Sequence, residues 1–71
     1  MTMQQIIDMH PEWNERVQVE AWLTAVAREA GEFAEFTLAK FGARLDDCGE
    51  ADVSHLRRGD IAAIKAAALN A

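Results

Sequence analysis

The 71-residue chain has one cysteine, one proline and no tyrosine. With Cys48 alone, no intrachain disulfide can form, and a lone thiol without a disulfide framework fits a reducing cytosol. His10 and His55 are isolated and Cys48 has no CxxC companion, so neither a structural zinc nor any other metal or cofactor is expected. No apolar run approaches the ~20 residues of a membrane span, and Met1–Gln5 lacks the basic and apolar regions of a signal peptide. A soluble, cytoplasmic domain is the expectation. Basic residues are scarce too, seven against twelve acidic, for a net charge of −5. That balance argues against direct contact with a nucleic-acid backbone and leaves open an approach to a basic surface on another protein.

What the chain has is alanine, 14 of 71 residues, and alanine is the best helix former. The length allows one domain, residues 1–71, and a chain this short buries only ~60% of its unfolded surface. Thr2 is placed to cap a short helix from Met3 to about Met9, which His10-Pro11 ends because a residue before proline is pushed out of the helical region. A long amphipathic pattern follows from Glu12 to about Leu45, with Asn14 as an alternative cap. Asp46-Asp47-Cys48-Gly49 reads as its end, Gly49 suiting the left-handed position. Asp52 or Ser54 is placed to cap a last helix running to about Asn70.

At 100° per residue, Val19, Val26 and Thr37 lie along one line of the long helix. Leu23, Ala30, Ala34 and Phe41 fall on one flank, and Trp22, Phe33 and Phe36 on the other. The apolar arc is then roughly 180° wide, against the ~100° of one packing contact. The expected fold is all-α: a short N-terminal helix, then an antiparallel hairpin of one long and one shorter helix, with the return helix against the second half of the long one. The uncovered arc predicts a C2 homodimer. Gly31, inside the pattern, marks either a close approach by another helix or a slight bend.

Little supports nucleophilic catalysis. Cys48 lies among Asp46, Asp47 and Glu50, which disfavour a thiolate; His55 reads as a surface histidine and Arg57-Arg58 as a solvated basic spot. Glu29-Ala-Gly-Glu32 could share a divalent cation from one helical face. EAGEFAEF and RRGDIAAI resemble segments of the MazG-type nucleotide pyrophosphohydrolases, a family with a helical Glu-x-x-Glu and a later Glu-x-x-Asp that bind magnesium and a nucleoside triphosphate. Arg57 stands where the second motif needs a glutamate, leaving Glu29, Glu32 and Asp60.

The aromatic flank reads either as core or dimer contact, or as a binding patch of aromatic anchors with a charged rim. Its candidate residues are Arg16, Trp22, Arg28, Phe33, Phe36 and Lys40. In size, acidity and helical plan the chain resembles small phage-encoded inhibitors of host regulators, in style the anti-activators of LuxR-type quorum-sensing transcription factors. The resemblance implies a non-catalytic inhibitor, acting in the host cytoplasm, that occupies one surface of a bacterial regulatory protein.

Overall fold

Helix α1 (Met3–Met9) starts on a reciprocal cap. In the computed structural model, which describes residues 1–70, Thr2 Oγ1 accepts from the Gln5 amide at 3.1 Å and Gln5 Oε1 accepts from the Thr2 amide at 2.8 Å. Met3 and Ile6, one turn apart, are buried, and the helix ends at His10. Pro11 and Glu12 lie in the turn that follows, where the His10 ring stacks on Trp13 at 3.7 Å. Helix α2 (Glu15–Ala30) begins at Asn14, whose Oδ1 accepts from the Val17 amide at 2.9 Å.

From Glu15 the helical run extends for 25 residues to Ala39, but it is not one rod. Gly31 has φ 58 and ψ −119, backbone space that side chains disfavour. A 3₁₀ turn (Gly31–Phe33) follows, and helix α3 (Ala34–Ala39) runs back along α2. A straight 25-residue helix would be ~37 Å long, whereas the longest dimension of the chain is 30 Å. Trp22 and Phe41 would lie ~28 Å apart along such a rod; their rings meet edge to face at 5.5 Å. Gly31 is therefore a reversal. An added Cβ there would meet nothing within 4 Å, which excludes the close-approach reading.

Gly42 ends α3. Its φ is 77, its amide donates to Ala39 O at 3.0 Å, and the Ala43 amide donates to Leu38 O at 3.1 Å. This is a Schellman closure, with buried Leu38 and Ala43 as its apolar contact. The helix therefore stops short of Leu45. Strand β1 (Arg44–Leu45) instead pairs antiparallel with β2 (Ala51–Asp52), Arg44 opposite Asp52 and Leu45 opposite Ala51. Asp46 Oδ1 holds the turn between them, accepting from the Cys48 and Glu50 amides at 2.9 Å each. Gly49 is left-handed, φ 79, but it serves a hairpin and not a helix end. The all-α expectation becomes a mostly helical fold with a small two-stranded hairpin.

Helix α4 (Arg58–Leu69) starts after Arg57, not at Asp52 or Ser54. Asp60 Oδ2 accepts from the Arg57 amide at 3.2 Å, while Asp52 accepts from the Ser54 amide at 2.9 Å inside the preceding loop. The register of α4 also differs from expectation. Arg58 and Ile61 share a hollow with Asn14, Glu15 and Arg16. Lys65 Nζ donates to Gln18 Oε1 at 3.0 Å and pairs with Glu15 at 3.5 Å, and Ala68 and Leu69 border Trp22. The partners advance together, so α4 runs in the same sense as α2 and covers its first half. The antiparallel helical pair is α2 with α3.

Buried Met3, Val19, Leu23, Leu38, Val53, Ile61 and Ile64 build one core from all four helices and the loop. The wide arc of α2 is thus covered within one chain, and that removes the argument by which the sequence called for a second copy.

Candidate functional site

The six residues nominated by the sequence do not share one surface. Arg16 turns inward. Its Nη1 donates to Val53 O at 2.6 Å and its Nη2 to Leu56 O at 2.9 Å, clasping the loop before α4 onto α2. Planar forks such as guanidinium suit this two-point bond, and lysine cannot reproduce it. Trp22 is half-buried against Phe41 and borders an open hollow of about 490 Å³ with Met1, Met3, Ala68 and Leu69. Arg28 is exposed on another side, along a hollow of about 310 Å³ shared with Trp13, Val17, Thr24 and Glu50.

Phe33, Phe36 and Lys40 remain together. Phe33 closes the 3₁₀ turn and Phe36 lies three residues on in α3, and both side chains form an exposed ridge on the outer side of the reversal. They are 63% and 69% exposed. Lys40 Nζ sits 5.2 Å from the centre of the Phe36 ring, a cation–π contact. Leaving a phenylalanine in water forgoes about 1.5–3 kcal/mol of burial, and this chain does so twice within four residues. The reversal at Gly31 explains the placement, because it turns Ala34 and Leu38 into the core and leaves positions 33 and 36 on the outer side.

Glu32 and Glu35 interleave with the two rings and are exposed, as is Glu29 across the turn. Glu29 faces the N-terminal amine at 3.8 Å. Among the described residues neither Glu32 nor Glu35 has an ion-pair partner. The sequence reading gave these two glutamates no part in the aromatic patch. The doublet Glu32-Phe33, Glu35-Phe36, repeating at three residues, was the available signal.

Two carboxylates elsewhere are perturbed. Burial, then Asp52, push the Glu20 carboxyl above the usual carboxylate range, further helped by Asp46 and Glu50 and opposed by Arg16. Hydrogen bonds from the Ser54 amide and hydroxyl hold Asp52 below that range.

The acids of the pyrophosphohydrolase reading are not assembled into a site. Gly31 breaks the helix between Glu29 and Glu32, so they are not one turn apart on a continuous face. Asp60 is spent on the start of α4. Among the described residues no group of three or more histidine, cysteine, aspartate or glutamate side chains could hold a metal ion, and no helix is long and apolar enough to cross a membrane. No protein-family model, no curated protein and no solved structure matches the chain.

Proposed function

We propose that the chain is a non-catalytic protein-binding module of the bacterial cytoplasm. In this reading it is an inhibitor of the anti-activator kind, which occupies one surface of a regulatory protein such as a LuxR-type quorum-sensing transcription factor and holds it inactive. The observation that carries the reading is the pair of rings, Phe33 and Phe36, left in solvent by a chain that otherwise closes its own core. Aromatic anchors with a charged rim are the usual composition of an interface centre. The net charge of −5 favours a protein over nucleic acid as the partner. Lys40 belongs to this surface through its contact with the Phe36 ring, whereas Trp22 and Arg28 lie along other hollows and Arg16 acts through the fold.

The test is a gel shift with a purified LuxR-type regulator and its operator. A stoichiometric amount of the chain is expected to abolish the shift, and Phe36→Ala to restore it. A regulator that binds DNA equally well with and without the chain would contradict the proposal.

The homodimer forms part of the same proposal, relocated to the α1–α4 face. Met1 and Leu69 are large apolar side chains left well exposed there, bordered by the half-buried Trp22, and exposed Met9 lies along an adjoining hollow that Met1 also lines. Self-contact on that face brings methionine and leucine together. The alternative, a degenerate MazG-like pyrophosphohydrolase, would gain ground from magnesium-dependent pyrophosphate release that Glu32→Gln abolishes.

A further inference from the structure

We infer that the exposed ridge of Phe33 and Phe36 receives a basic amphipathic segment of its partner, an apolar stripe flanked by lysine or arginine. The inference rests on the ridge being the binding surface and adds the chemistry of what binds. Two exposed rings ask for an apolar stripe. The side chains between and beside them are Glu32 and Glu35, both exposed and both without an ion-pair partner among the described residues. Glu29 adds a third carboxylate across the turn, matched among the described residues by the N-terminal amine at 3.8 Å.

The cations nearby do not neutralise this rim. Lys40 lies over the Phe36 ring, and Arg28 belongs to the hollow that contains Glu50. The dipole of α3 favours acids in its first turn, but it gives no reason for the rings beside them. Around the rings Glu29, Glu32 and Glu35 stand against Lys40 alone, so the ridge carries a net negative charge.

The same sign selects among occupants. A second copy docking on the ridge through a twofold axis would set carboxylates against carboxylates. Nucleic acid and anionic lipid are repelled alike. A basic amphipathic helix supplies both complements at once, apolar side chains for Phe33 and Phe36 and cations for Glu32 and Glu35. Regulators that bind DNA carry such basic surfaces, so occupying one would compete with DNA.

The experiment uses three fluorescein-labelled synthetic peptides of equal length: leucine/lysine amphipathic, leucine/glutamate amphipathic and serine/lysine. Anisotropy titrations with the full chain are paired with amide chemical-shift mapping. The leucine/lysine peptide is expected to bind about tenfold or more tighter than either other peptide and to shift the amides of Glu32–Lys40. Binding should weaken about tenfold in Phe36→Ala and again in Glu32→Gln/Glu35→Gln, and should fall as salt rises. Binding of the leucine/glutamate peptide that depends equally on Phe36 would overturn the basic partner and leave the ridge as a docking surface. Leucine/lysine binding unaffected by Phe36→Ala, or mapped elsewhere, would overturn the ridge itself. So would binding of none of the three, or ridge amides that broaden with chain concentration alone.

Discussion

Arg16 is the residue whose loss should be felt most widely, because both arms of its guanidinium end on loop carbonyls that no other side chain among the described residues reaches. Charged hydrogen bonds of this kind contribute about 1.5–3 kcal/mol each, less where partly solvated. Arg16→Met is expected to lower the melting temperature by about 8 °C or more, at ~4–8 °C per kcal/mol for a domain of this size. A variant melting with the parent would show the clasp to be passive. Glu20 makes an opposite prediction. Its raised pKa means that the folded chain holds this proton more tightly than the unfolded chain. Glu20 therefore adds stability below the usual carboxylate range and loses it as pH rises through its folded pKa. Asp52, shifted down by Ser54, behaves in reverse and stabilises above that range, with the gain lost on acidification. Glu20→Gln should gain in melting temperature over the parent as pH goes from 4 to 8. A difference that shrinks over that interval would contradict the assignment.

At the scale of elements, the two glycines at 31 and 42 set the topology. With nothing near its missing Cβ, Gly31 is required by backbone conformation alone, and an L-residue there should cost about 1–3 kcal/mol. Gly31→Ala should melt lower, and D-alanine at the same position of a synthetic chain should recover the loss, since it favours positive φ. Equal destabilisation by both isomers would mean that space, not handedness, is limiting. This element also marks the limit of what the residues alone disclose. Caps are local, so Thr2 was legible as a helix start and His10-Pro11 as a stop, while the long helix starts at Asn14, the alternative cap, and not at Glu12. The reversal was not, because the apolar period runs through Gly31 with Ala34 and Phe41 still in phase, whether or not the axis turns back. Two-residue strands carry no alternation to read, and Asp46 to Gly49 suits a helix end and a hairpin turn equally. Phe33 and Phe36 were legible as a pair that is either core or binding patch, and the reversal is what leaves both exposed.

For the whole molecule, the reversal changes what the wide apolar arc means. Val19, Leu23 and Leu38 have no exposed surface, and the chain closes over them by itself. Self-association then depends on the α1–α4 face. Light scattering is expected to give twice the 7.9 kDa chain mass at tens of micromolar and Met9→Glu to reduce it to one. A single-chain mass throughout would end that part of the proposal. The central claim is that the Phe33–Phe36 ridge is a binding surface and not misplaced core. The most direct measurement takes Phe36→Ala and records melting temperature and affinity for the LuxR-type regulator on the same sample. An anchor exposed to this degree should leave the melt within about 2–3 °C of the parent, while its truncation weakens binding by at least about thirtyfold, or ~2 kcal/mol. A collapsed melt, or an unchanged affinity beside an unchanged melt, would contradict the account.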